Sequence, residues 1–180
     1  MDHGVRTLIV AIDTTTSVLR VGIVLPDGTE AAEARADAPL GHSEKVLEVL
    51  ERALALAGTG LDSVGLIVAG LGPGSYTGTR VGAATALGLA RGLAVPVRGV
   101  PTLVAVVADA GGGERDAVLP TPRGGWYVGR YAVDPAGWRE VVSPRRVEAL
   151  PPGAAGPAFR ASTLARLGSL QDYPVRPIYR

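Results

Sequence analysis

Two stretches of this 180-residue chain carry side chains that could do chemistry. Asp13 closes an apolar run and is followed by Thr14, Thr15 and Thr16, so one carboxylate and three hydroxyls share a turn. Such a group can orient a cation or a water. More commonly, a carboxylate at a strand end accepts the N–H groups of its own turn. The second stretch, GLGPGSYTG at 70–78, lies between an apolar run and a helical pattern. Backbone N–H groups at such a junction can cradle a phosphate. This loop has no lysine followed by Ser or Thr, Pro73 removes one donor, and the third glycine falls at Gly78 rather than three residues after Gly74. Turning and close packing is the better reading for Gly72, Pro73, Gly74, Ser75, Tyr76, Thr77 and Gly78.

Composition narrows the remaining options. Eighteen basic residues against 17 acidic ones give a net charge of +1, without the basic excess usual for a free-standing nucleic-acid binder. Arginines gather toward the end, at 139, 145, 146, 160, 166, 176 and 180. A solvated face is the simpler account of them, and contact with RNA the alternative. There is no cysteine, which excludes disulfides, thiolate catalysis and cysteine-ligated metal. MDHGVRTLIVAID does not read as a signal peptide, and no run has the ~18 uninterrupted apolar residues of a membrane span, so a cytoplasmic protein is expected.

The elements that must position these groups follow from apolar patterning. Residues 7–12 and 19–25 read as a buried hairpin around the turn at 13–17, and 29–36, interrupted by charge, as a third strand at an edge. Ser43 is the expected cap of a helix over 43–57, stopped by Gly58. Its apolar residues fill an arc of about 180°, wider than the roughly 100° stripe that one packed face needs. The excess faces either a neighbouring helix or another chain. A short buried strand at 66–69 precedes the glycine loop, a small-residue helix runs over 79–93, and a strand follows at 97–100. After Pro101, Thr102 is the expected cap of a helix over 103–110, ended by three glycines. Strands at 117–119, 126–133 and 138–142 form a small meander, 151–157 is loop, and 162–170 a short helix.

GLGPGSYTGTRVG followed by GLA, AIDTT near the start and GHSEKVL between them resemble the TsaB family, in order and at compatible spacing over about the first hundred residues. That family is the non-catalytic partner subunit in bacterial synthesis of threonylcarbamoyladenosine in the tRNA anticodon loop. The resemblance implies an α/β fold of the actin, hexokinase and Hsp70 superfamily, ribonuclease-H-like, with an N-terminal lobe over 1–101 and a trimmed α+β second lobe over 102–180. It implies a TsaD-type catalytic subunit and a TsaE-type ATPase as partners, tRNA reached through the complex, and a homodimer when alone. No cofactor, metal or catalytic residue is expected in this chain, with ATP used by the complex. The family pairs through the helix at 43–57 and the one after Thr79, which tips the wide apolar arc toward an interface. Val46, Leu47, Val49, Leu50, Leu54, Leu56, Arg80, Gly82 and Ala86 are the expected contacts.

The chain departs from related patterns in several places. The superfamily's Asp-x-Gly-Thr phosphate turn is here Asp13-Thr14-Thr15-Thr16, without the glycine. Related catalytic subunits carry two histidines at i and i+4, but His42 is followed by Val46. The family's Asp-Ala-Arg and Gly-Glu-Val-Tyr segments are reduced to Arg123, Gly125 and Tyr127 within LPTPRGGWYVGRY, and Pro177-Ile178-Tyr179-Arg180 resembles its Pro-x-Tyr-x-Arg ending with one residue missing. The alternative function is a small kinase or hydrolase acting through Asp13 and the loop Gly72–Gly78.

Overall fold

The computed structural model describes residues 7–38 and 41–178, with the backbone alone at position 42; His3, Tyr179 and Arg180 lie outside the described residues. Strands β1 (Leu8–Asp13), β2 (Val18–Val24) and β3 (Glu30–Asp37) form an antiparallel meander. After α1 (His42–Leu56) and a single 3₁₀ turn at Leu61–Ser63, β4 (Val64–Gly70) returns parallel to β1. Helix α2 (Tyr76–Leu93) then carries the chain across to β5 (Val97–Val100), parallel to β4. The five strands lie in the order β3-β2-β1-β4-β5, so the charged third strand is at an edge, as its sequence predicts. Lys45 and Arg52 of α1 donate to the Asp37 and Arg35 carbonyls, which blunts that edge against further pairing.

Both faces of this sheet are covered, which is why every residue of β1, LIVAID, is buried. Helices α1 and α2 close one face over Val10, Ile12, Leu19, Val21 and Ile67. On the other face lies α3 (Thr102–Asp109), apolar over nearly its whole surface and buried from Thr102 to Val107. It is packed between the first sheet and a second, antiparallel sheet of β6 (Gly113–Pro120), β7 (Trp126–Asp134) and β8 (Gly137–Val147). The chain then returns to the first sheet. Helix α4 (Ala161–Leu170) lies on β2 and β1, and comes so close that a Cβ on Gly22 would stand 2.2 Å from the Ser162 nitrogen. Beyond it the Gly99 N–H donates to the Tyr173 carbonyl and the Ile178 N–H to that of Leu71.

Three helix starts differ from the sequence expectation. α1 opens at His42 with Gly41 as its cap, at φ +83°, rather than with Ser43. α2 opens at Tyr76, three residues early, because the Ser75 side chain accepts from the Gly78 N–H; Tyr76, Thr77 and Gly78 are therefore helical and not loop. Thr102 does not cap α3, since its hydroxyl is engaged elsewhere and Pro101 holds the cap position. No helix among the described residues is long and apolar enough to cross a membrane.

Candidate functional site

The turn after β1 and the glycine segment after β4 meet face to face. Asp13 is wholly buried, and its carboxylate accepts three donors of this chain. Oδ1 accepts from the Thr15 N–H at 2.9 Å and the Thr15 hydroxyl at 2.8 Å, and Oδ2 accepts from the Thr102 hydroxyl at 2.7 Å. Thr102 in turn accepts from the Gly72 N–H at 3.1 Å, so one carboxylate ties the first turn, the glycine segment and the start of α3 together. The Ser75 N–H donates to the Thr15 carbonyl and the Thr14 hydroxyl to the Gly78 carbonyl.

Glycine makes this approach possible. A Cβ would stand 2.0 Å from Asp13 Oδ2 at Gly70, 2.1 Å from the Thr15 carbonyl oxygen at Gly74, 2.1 Å from the Thr14 carbonyl oxygen at Gly78 and 2.4 Å from the Thr14 hydroxyl at Gly82. These four glycines recur every fourth residue and all receive the first turn. Gly74 and Gly78 thus sit where a side chain would clash, in keeping with the close packing expected of this segment. The space where a phosphate cradle would lie holds the chain's own turn instead. Sequence reasoning saw a loop here and missed the stripe; the four-residue spacing was the signal.

Arg20, opposite Asp13 in the hairpin, donates to the Thr16 hydroxyl and the Val18 carbonyl and lies 4.5 Å from the Phe159 ring centre. Its burial pulls its pKa below the usual arginine value, with Asp13 and Glu33 opposing that shift.

A second feature opens beside this knot. A cleft of about 510 Å³ lies between the opening of α2 and the second sheet, with Ser75, Tyr76 and Thr77 on one wall and Arg123, Tyr127 and Arg146 on the other. The Tyr127 hydroxyl is 3.5 Å from the Gly74 carbonyl oxygen, and Arg146 donates to the Gly124 carbonyl at 3.2 Å.

A third feature is the outer face of α1 and α2. Of the nine residues expected at an interface, Val46, Val49, Leu50, Leu54, Gly82 and Ala86 are buried within this chain. That corrects the expectation, because the centre of the apolar arc faces the chain's own sheet. Leu47 is 53% exposed and Leu56 64%, and Arg80 is also exposed. Leu87 of α2, 47% exposed, was missed. Among the described residues, nothing lies within 4 Å of where a Cβ would stand on Gly88 or Gly92.

A β-meander, then helix, strand, helix and strand in the order 3-2-1-4-5, defines the chain as a member of the actin and hexokinase-like class of α/β proteins. Residues 36–125, half of the chain, match the family model described as "TsaD: tRNA N6-adenosine threonylcarbamoyltransferase". The chain is 37% identical to the tRNA threonylcarbamoyladenosine biosynthesis protein TsaB of Escherichia coli over 102 residues, 57% of this chain and 43% of that protein. To the TsaB of Bacillus subtilis it is 30% identical over 125 residues, 68% of this chain and 54% of that protein. The chain belongs to the TsaB/YeaZ family. It spans about half the length of the curated relatives it matches. The structure of YeaZ from Pseudomonas aeruginosa superimposes with a TM-score of 0.77 at 22% identity, covering 97% of this chain and 100% of that one, which shows a shared fold.

Proposed function

We propose that this chain acts in tRNA threonylcarbamoyladenosine biosynthesis as a non-catalytic scaffold, docking a TsaD-type catalytic subunit on the outer face of α1 and α2. The observation that carries this reading is that Leu47 of α1 and Leu87, Gly88 and Gly92 of α2 are exposed, with no described residue within 4 Å of a Cβ at either glycine. Glycine within a helix costs up to about 1 kcal/mol relative to alanine, and no described residue stands within 4 Å of a Cβ at either position. A second helix lying close over them would. In the same proposal a TsaE-type ATPase joins the complex, ATP is used by the complex and not by this chain, tRNA is reached through the complex, and the setting is cytoplasmic. A homodimer would use the same face when the chain is alone, so self-association and docking compete. In this proposal the lobe counted from 1 to 101 docks, and the second, smaller lobe counted from 102 to 180 is not separate from it, since its α4 packs back on β1 and β2.

The engagement of Asp13 weighs against the kinase or hydrolase alternative, because its carboxylate is buried and already holds three donors of this chain. The reading is tested by mixing the protein with a TsaD-type subunit and following association by sedimentation. Leu47→Glu and Leu87→Glu should leave melting unchanged and weaken association at least tenfold. Undiminished association by both folded variants overturns the docking face. Turnover of ATP with magnesium by the isolated chain overturns the scaffold role.

A further inference from the structure

The cleft between α2 and the second sheet is distinct from the docking face, and its chemistry is of one sign. Arg123 and Arg146 enter from the second sheet's side, Ser75 and Thr77 supply hydroxyls opposite them, and among the described residues no acidic one lines it. Arg123 makes no hydrogen bond or ion pair among the described residues. Arg146 forms a 3.8 Å ion pair with Glu148, whose side chain is 91% exposed, so water weakens the pair. Tyr76 is 57% exposed at the rim, with the Arg80 guanidinium 3.9 Å from its ring centre, which adds a third cation to this end of α2. The larger hollow of about 800 Å³ beside α4 differs in every respect: it holds Glu33 and Asp109, its Arg160 is paired with Glu30 and Glu33, and Asp109 is occupied by the Arg160 N–H and the Thr163 hydroxyl.

We propose that the cleft receives one nucleotide unit of an RNA strand, its phosphate oxygens held by Arg123 and Arg146 and its base laid against Tyr76. Paired guanidiniums suit phosphate oxygens, and an aromatic ring beside them suits an unstacked base. A volume of about 510 Å³ lies within the range that takes a nucleotide and is far larger than a lone phosphate needs. The proposal rests on the reading that the chain serves a tRNA-modifying complex, and it adds that this chain itself touches the RNA.

The test uses the full chain with a fluorescent single-stranded ten-nucleotide oligoadenylate, with AMP and inorganic phosphate as competitors. Arg123→Glu should weaken oligonucleotide binding roughly tenfold or more, as expected for loss of a charge-assisted contact. Arg146→Gln should weaken it less, and the charge-matched control Arg91→Glu should change it little. Binding should also fall with added salt. No binding by the unaltered protein, or equal loss in Arg123→Glu and Arg91→Glu, overturns the proposal, and AMP bound as tightly as the oligonucleotide overturns the strand in favour of a free nucleotide. Because Arg123 is exposed and unbonded, its variant folds even where Arg146→Gln does not. Docking of a TsaD-type subunit that survives Arg123→Glu, with RNA binding insensitive to it, removes the cleft proposal alone. The reverse result removes the docking reading alone.

Discussion

The two halves of α2 use glycine for opposite purposes. In the first half Gly78 and Gly82 receive the turn at Thr14, and any Cβ there would stand 2.1 or 2.4 Å from an oxygen. In the second half Gly88 and Gly92 face open space. The first pair is explained by this chain alone, at the cost in helix propensity that close packing requires. The second pair bears that cost with no return among the described residues. A glycine-rich helix is therefore not one feature but two, and only the contacts of each missing side chain separate them.

The largest effect expected is at the first half. Gly78→Ala drives a methyl into the Thr14 carbonyl, which belongs to backbone and cannot turn away, so it should destabilise by about 3 kcal/mol and lower the melting temperature by roughly 6–12 °C. Gly82→Ala meets the Thr14 hydroxyl instead, a group that can rotate if it gives up its bond to Gly78, and should cost less. Equal melting of both variants and the unaltered protein would dissolve the distinction between the two halves.

Asp13→Ala comes next. It strips an acceptor from the Thr15 N–H and from the Thr15 and Thr102 hydroxyls, all buried, and leaves a small void. A loss of about 2–3 kcal/mol is expected, since the hydroxyls can redirect but the N–H cannot. The same change should leave oligonucleotide binding in the cleft intact once the protein is folded. A variant that melts normally but loses RNA binding would mean that Asp13 serves a ligand rather than the fold.

Much of this was legible beforehand. Continuous apolar runs marked β1 and β4 because strands buried on both faces need no alternation, and charges in β3 marked the edge. What a helical projection gives is the width of an apolar arc, not which part of it meets the sheet. Hence Val49 and Leu50 looked eligible for an interface and prove to be core, while Leu87, isolated among small residues, drew no notice. Thr102 looked like a cap because its local context is that of one. Its actual partner is Asp13, 89 residues away, and no local pattern encodes such a pairing. The cleft is similar: Arg123 and Tyr127 stood out in the sequence, but their convergence with the opening of α2 depends on how the second sheet packs.

In the second half of α2 the signs reverse. Gly88→Ala and Gly92→Ala should each stabilise the isolated protein by roughly 0.5–1 kcal/mol, through helix propensity and a less disordered unfolded chain. Both should weaken association with a TsaD-type subunit or a second copy. Stabilisation without any loss of association, measured on the same samples, would place the partner helix elsewhere.

The smallest effect lies just past the helix end, at Ala94. Its φ of 54° and ψ of 45° are left-handed, and among the described residues it is the one non-glycine with positive φ. This position ends many helices and usually belongs to glycine, because a Cβ there crowds the following carbonyl. So α2 carries glycine at 92, where its own backbone favours alanine, and alanine at 94, where its own backbone favours glycine. Ala94→Gly should relieve the crowding but also loosen the unfolded chain, leaving a net gain of about 0.5 kcal/mol and a rise of 1–2 °C in melting temperature. It changes no exposed side chain of the docking face and should leave association unaltered. Combined with Gly92→Ala, it should give a protein more stable than the original by the sum of the two effects, yet a poorer partner by the effect of Gly92→Ala alone. If Ala94→Gly also weakened association, the end of α2 would itself be part of the contact, and the boundary between its inward-facing and outward-facing glycines would have to be extended past Leu93.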